Sequence, residues 1–265
     1  MKLLKKVRIN NKIKVGLALV LLLGLGWLFN YVSKPAQGMP ILLYHMVNDG
    51  KSSYAITPTE FEEQMKYLKE EGYTTISLLE YVKARKGKLN LPEKPLVISF
   101  DDGYLDNYTV ALPIMKKYDF KGTVFVVGND IGKKGYLNYE DIRNLQKHDF
   151  EIASHTANHL PLSKLSFEEK KHEIEISKLF LDWKTDKTVF FMAYPNGSYD
   201  QECLDILKQT NYLGACTTDS GLNTFTTDLY ELKRISIPKP MFGLTEFKLR
   251  FWRANAYARL NELFN

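Results

Sequence analysis

Cysteine is almost missing from this chain of 265 residues: only Cys203 and Cys216 are present. That excludes a small disulfide-stapled fold and a cysteine-rich metal module. Cys203 reads as helical and Cys216 as strand, so two buried free thiols are expected rather than a bridge. Histidine is scarce too, with five in all and none after His172. No internal repeat and no low-complexity segment occurs, which excludes solenoid and disordered classes. A body-wide excess of positive charge is also absent. The formal charge is +5, but six of the 36 basic residues (Lys2, Lys5, Lys6, Arg8, Lys12 and Lys14) stand in residues 1–14 with no acid among them. Setting those six aside leaves 30 basic residues against 31 acidic ones. The basic balance belongs to one end and gives no reason to expect nucleic acid as a partner.

Residues 15–33 hold no charge at all. As a helix they reach about 28 Å, close to the hydrocarbon thickness of a bilayer. Trp27 and Tyr31 stand where interfacial aromatics belong, and the lysine-rich flank predicts a cytoplasmic N-terminus with the rest of the chain outside. A cleaved signal peptide is the rival reading. No A-x-A site follows the apolar run and no cysteine for a lipid anchor is near it, so an uncleaved single-pass anchor in the cell membrane is expected. The chain then divides into a basic cytoplasmic segment (1–14), the transmembrane anchor (15–33), a linker (34–39), a main domain (40–238) and a basic, aromatic, helical C-terminal segment (239–265).

In the main domain, apolar strand-like runs alternate with helical patterns, which predicts a parallel α/β architecture. Strands are expected at 41–44, 96–100, 122–127, 150–154, 188–193, 213–217 and 232–237. Helices are expected at 57–71 (with Thr59 as cap), 77–86, 107–118 (bent at Pro113), 139–148, 166–183 and 201–210. Polar clusters follow the strands: Tyr44-His45, Asp101-Asp102, His155 to His159 and Tyr194 to Gly197. In α/β barrels chemistry sits at the carboxyl ends of strands.

Two of these clusters carry chemistry. His155 and His159 stand four apart and can converge on one metal, although paired histidines alone are a weak signal. Asp101-Asp102-Gly103 is good turn chemistry, yet two adjacent carboxylates after an apolar strand are costly to bury unpaired. A metal resolves both: one carboxylate joins the two histidines as ligand, and the other stays free as general base. Such a donor set accepts a divalent ion, zinc first, with cobalt, nickel or iron as alternatives.

At Ser99–Gly103 (SFDDG) and Ser154–His159 (SHTANH), about fifty residues apart, the chain resembles the polysaccharide deacetylases, the NodB-homology carbohydrate esterases. The resemblance spans roughly 40–238. It implies a distorted (β/α) barrel of about seven parallel strands, preceded here by the transmembrane helix. It implies Asp101 as base and Asp102, His155 and His159 as metal ligands. The family's third motif reads MAYPNG over 192–197, so Ala193 stands where an arginine is usual. The Asn196 backbone N–H is the implied oxyanion donor. Arg234 near the last strand is a candidate replacement for the guanidinium, with an ordinary surface arginine as the alternative. The late histidine of the family is absent. Instead Leu42–Val47 (LLYHMV) resembles the permuted branch that includes the poly-N-acetylglucosamine N-deacetylases, which implies His45 as general acid. Tyr104, Tyr108, Tyr194 and Leu222 are candidates for a sugar-facing wall, each equally explicable as packing. His148 and His172 lie on charged helical stretches and are expected in solvent.

The expected function is metal-dependent removal of N-acetyl groups from N-acetylglucosamine residues of an extracellular polysaccharide, releasing acetate. The permuted pattern favours an exopolysaccharide of the poly-N-acetylglucosamine kind. Peptidoglycan is the runner-up substrate, and a membrane-anchored glycan-binding protein without activity is the alternative class. Membrane lipid around 15–33 is the other expected partner; the oligomeric state is left open. The C-terminal segment is expected to pack on the barrel rather than lie on the membrane.

Overall fold

The structure is a computed structural model that describes residues 10–264. Most of the expected basic segment, residues 1–9, lies outside the described residues. The chain forms two compact units, 37–254 and 1–36 with 255–265.

The smaller unit contains α1 (Asn11–Ser33), a helix of 23 residues. At about 1.5 Å per residue it reaches about 34 Å, and it is long and apolar enough to cross a membrane. It starts four residues before the expected anchor, with Lys12 and Lys14 in its first turn and Asn10 as cap. Its far end is closed by a side chain. The Asn255 amide donates to the carbonyls of Val32 (3.0 Å) and Lys34 (2.8 Å), and its oxygen accepts from Ala36 N–H (2.6 Å). Those carbonyls would otherwise lack partners at a helix end. The Arg259 guanidinium lies 4.2 Å from the Tyr31 ring centroid.

The larger unit begins with β1 (Ile41–Tyr44), a small parallel pair β2 (Met46–Val47) and β3 (Ala55–Ile56), then α2 (Pro58–Glu70), β4 (Thr74–Thr75) and α3 (Leu78–Arg85). Thr57, not Thr59, caps α2, because Thr57 and Glu60 form a reciprocal capping box; Ser77 and Glu80 do the same for α3. Next come β5 (Pro95–Phe100), a π-turn at Asn107–Ala111, α4 (Leu112–Lys117), β6 (Thr123–Val126), α5 (Tyr139–Lys147), β7 (Glu151–Ser154), α6 (Phe167–Lys184), β8 (Phe191–Ala193), α7 (Gln201–Gln209), β9 (Gly214–Cys216), β10 (Ile235–Ser236) and α8 (Gly243–Phe264). The single helix expected at 107–118 is two pieces. Pro113 has no N–H to give to a preceding turn, and Leu112 N–H reaches back to Asn107 instead.

Seven parallel strands in the order β10-β1-β5-β6-β7-β8-β9 form one curled sheet, a half-barrel, with β4 added beside the start of β5. At the end of β9, Cys216 bridges Leu232 on the approach to β10. Strand alternation sorts the side chains into two cores. Ile41, Val97, Phe125, Ala153, Phe191, Ala193, Cys216 and Leu232 form an inner cluster with Leu78, Tyr81 and Val82 of α3. Leu42, Tyr44, Ile98, Phe100, Val124, Ile152, Met192 and Ile235 form the outer cluster with the surrounding helices. Phe247 of α8 is 1% exposed and meets Tyr67 edge-on, so the first half of that helix packs on the domain. Cys203 and Cys216 are buried free thiols.

Candidate active site

The inner parity of β5 and β7 continues past their carboxyl ends and puts polar groups there, and Arg234, just before β10, shares that parity. Asp101 follows Val97 and Ser99, His155 follows Ala153, and Arg234 follows Leu232. Each is almost wholly buried: Asp101 at 3%, His155 at 2% and Arg234 at 0% exposure.

Arg234 is therefore no surface arginine. Its two terminal nitrogens donate to the two oxygens of Asp101 at 2.7 and 2.8 Å, and its Nε donates to the Thr217 carbonyl at 2.8 Å. A fork-to-fork pair of this kind fixes the carboxylate plane as well as its charge. Burial pushes the Asp101 carboxyl up, but Arg234, then His155 and His45, outweigh it and hold the pKa at about 2.

Asp102, His155 and His159 converge. Asp102 Oδ1 lies 3.6 Å from His155 Nε2 and 3.5 Å from His159 Nε2. All three donor atoms fall within 4.8 Å of one another. Ligands about 2.1 Å from a tetrahedral ion stand about 3.4 Å apart, so the spacing fits a divalent metal. The tautomer fits too. His155 Nδ1 is 2.8 Å from the Ala193 carbonyl, which makes it the protonated nitrogen and leaves the Nε2 lone pair facing Asp102. Burial lowers the His155 pKa against the pull of Asp101 and Asp102, favouring the neutral imidazole that a metal requires. His159 N–H is held by Thr156 Oγ1 at 3.1 Å.

Strain concentrates here. Asp102 (φ 72°), Thr156 (φ 65°), His159 (φ 56°) and Asn196 (φ 55°) are all left-handed without being glycine. Such residues persist only where surroundings over-determine them, and they cluster at functional sites. Asn196 is exposed, and among the described residues its backbone N–H has no hydrogen-bond partner. The next residue must be glycine: at φ 67° a Cβ on Gly197 would fall 2.1 Å from Thr218 Oγ1.

His45 follows β1, and β1 runs beside β5 with Tyr44 opposite Phe100. That register makes His45 the sheet neighbour of Asp101, rather than a residue facing it from the opposite rim. Its ring lies 4.6 Å from Tyr54, and its carbonyl accepts from Asn107 Nδ2 at 2.8 Å.

Of the expected sugar-facing wall, Tyr194 needs correction. Tyr194 is 0% exposed, belongs to the outer core and donates its hydroxyl to the Tyr230 carbonyl, so it does not reach a substrate. Tyr108 packs against the same outer core, its hydroxyl accepting from Asn144. Leu222 is also half-buried against it. Tyr104 stays at the site, stacked 5.1 Å from Tyr136. Burial, then the Asp102 charge, raises its pKa well above the ordinary tyrosine value. Tyr136, Asn107 and the Ala193 carbonyl are parts that the sequence reading missed. The first two carry no motif signal, and the third is main chain. His148 and His172 are exposed.

Residues 88–215 match the polysaccharide deacetylase family. YxkH of Bacillus subtilis, a protein named for the same family, is 35% identical over 210 residues, covering 79% of this chain and 75% of that one. The poly-beta-1,6-N-acetyl-D-glucosamine N-deacetylase of Staphylococcus epidermidis is 26% identical over 205 residues, 72% of this chain and 70% of the relative. Among solved structures, the Streptococcus pyogenes deacetylase PplD in complex with acetate superposes with a TM-score of 0.74 at 28% identity, over 80% of this chain and 98% of PplD. IcaB from Ammonifex degensii shares the fold, with a TM-score of 0.72 at 23% identity over 82% of this chain and 97% of IcaB. With a curled seven-stranded half-barrel and an Asp-His-His cluster at its carboxyl rim, this chain belongs to the polysaccharide deacetylase family of hydrolytic enzymes.

Proposed function

We propose that the chain removes N-acetyl groups from N-acetylglucosamine residues of a poly-N-acetylglucosamine-like exopolysaccharide, outside a membrane held by α1. The observation that carries a catalytic reading is the Arg234–Asp101 fork. It keeps one carboxylate ionised and unligated beside three convergent metal ligands, which a mere glycan binder has no use for. The position of His45 after β1 and the Staphylococcus epidermidis relative's name support this polymer over peptidoglycan.

The roles follow from chemistry. Asp102, His155 and His159 would hold a divalent ion, zinc first, which when bound supplies Lewis acidity to a water and to the acetyl carbonyl. Asp101 accepts the proton of the attacking water. The Asn196 N–H donates to the carbonyl oxygen as it gains negative charge. His45 gives a proton to the sugar nitrogen as the C–N bond breaks. Acetate and a free amino sugar leave, and the amine then takes up a proton from water. Tyr104 and Tyr136 supply an aromatic surface beside the ligands on which a sugar ring can rest. The uncharged α1, flanked by Lys12 and Lys14, is read as an uncleaved anchor with the catalytic domain outside.

Acetate release is the test. The full chain in detergent should release acetate from β-1,6-linked N-acetylglucosamine oligomers faster than from peptidoglycan fragments, and a chelator should stop it. The reverse preference would move the substrate to peptidoglycan. No release from either, with metal bound, would favour the binder.

A further inference from the structure

The metal-ligand turn is held from behind by a group that the reaction does not use. Glu173 lies in α6 and is only 3% exposed. Among the described residues it forms no salt bridge; Lys170, one turn earlier, is committed to Asp200 and Glu202. Both oxygens of Glu173 grip Asn158, in the turn between His155 and His159. Asn158 N–H donates to Oε2 at 2.8 Å and Asn158 Nδ2 donates to Oε1 at 2.6 Å. The remaining amide oxygen, Asn158 Oδ1, accepts from Asn129 Nδ2 at 2.6 Å. The main chain of the same turn is tied as well: Ala157 N–H donates to the Glu173 carbonyl at 3.1 Å, and Gly128 N–H to the Thr156 carbonyl at 3.0 Å.

This matters because the turn holds two left-handed residues, Thr156 and His159. Left alone, each would gain free energy by relaxing to an ordinary conformation. A charged, two-pronged grip from a packed helix is a strong restraint of the kind needed to prevent that. Its target is the residue directly before His159, the more exposed of the two histidines, with 33% of its side chain open.

We infer that Glu173 is a positioning residue for the metal site. It acts through Asn158 to fix the His155–His159 turn, and so sets metal affinity rather than only fold stability. The inference rests on the metal reading given above.

The hydrogen-bond polarity of the grip provides the test. In Glu173→Gln one prong becomes an N–H₂ group that meets an Asn158 donor. In Asn158→Asp a carboxylate meets the Glu173 carboxylate. In the double variant the polarity is complementary again. The introduced amide nitrogen donates to one oxygen of the introduced carboxylate, and the amide oxygen accepts from the backbone N–H of position 158. Asn129 still donates to the other carboxylate oxygen. Zinc affinity is measured on the full chain in detergent by competition with a chromogenic chelator, with melting temperature recorded alongside. Each single variant should bind zinc about 10- to 100-fold more weakly. The double variant should return to within about threefold of the wild type, as coupled neighbours do. Should Asn158→Asp fail to fold, Glu173→Gln against the double variant decides alone. Lower melting temperatures with unchanged zinc affinity would overturn the inference, as would a double variant no tighter than Glu173→Gln. A wild type that binds no zinc would instead overturn the metal reading, and the inference with it.

Discussion

Strand β7 carries a half-buried acid at its start and a buried base just past its end, both on the inner parity of the half-barrel, and the two ends differ in how the loss of water is offset. At the carboxyl rim, His155 sits beside Asp101, whose charge is balanced by the two-pronged Arg234. At the amino end, Glu151 has no guanidinium partner. It accepts Leu78 N–H (2.9 Å), Leu79 N–H (3.2 Å) and Thr123 Oγ1 (3.2 Å) instead. Burial pushes Glu151 up to about 7, although those hydrogen bonds pull it down. At Asp101 the Arg234 counter-charge outweighs the effect of burial, whereas at Glu151 the donated hydrogen bonds offset it only in part. The rim is arranged for chemistry and the floor for closure.

The largest effects should come from breaking the rim. Removing the ion with a chelator should take acetate release to background, and zinc or cobalt should restore it. Asp101→Asn should keep the metal and lose about 10²- to 10⁴-fold in kcat/KM, the usual worth of a general base. His155→Ala should lose metal and activity together. Equal metal loss in both variants would reverse the two aspartates' roles. Arg234→Met strands the Asp101 charge and should cost about 3–5 kcal/mol of stability, as removing one partner of a buried pair does. Denaturant melts check it, and a loss near zero would mean that the fork is not needed for folding.

At the floor the expected effect is smaller and has a definite sign. Glu151 binds its proton more tightly folded than unfolded. Its contribution to stability is therefore complete below the ordinary glutamate value of 4.5 and is lost as the pH rises through about 7. In that window stability should fall with a slope of at most about 1.4 kcal/mol per pH unit. Glu151→Gln should flatten the slope; an unchanged slope would assign it to other groups. The smallest effect is expected at Asn196→Gly, which keeps the backbone N–H and tolerates the left-handed φ. Activity should stay close to that of the wild type, and a large loss would give the asparagine side chain a role of its own.

Much of the fold was legible because the alternation of apolar strand runs with helical patterns is a local signal, while the cap of α2 was read two residues late. The four residues Asp101, Asp102, His155 and His159 were legible because each pair is contiguous or one turn apart. Arg234 was only half legible. It meets Asp101 across 133 residues of sequence, and the curl of the sheet, not any local pattern, brings them together. Tyr194 was misplaced by ignoring parity. Ala193 faces inward, so its neighbour had to face out, into the helix layer. Tyr108 falls in the π-turn before Pro113, which no periodic count anticipates. Glu173 gave no signal at all, since an acid on a charged helix looks solvated until its partner's fold is known.

The bond from His155 to the carbonyl of residue 193 has a consequence for which substitutions the rim tolerates. A main-chain oxygen is present whatever side chain the position carries. The orientation of the His155 imidazole is therefore insulated from the identity of the side chain at 193, and Ala193 serves it as well as any other residue would. What Ala193 cannot supply is a counter-charge for Asp101, and Arg234 supplies it from the residue before β10. Arg234 brings a guanidinium to that carboxylate from a distant part of the chain, while the imidazole of His155 is held by main chain alone.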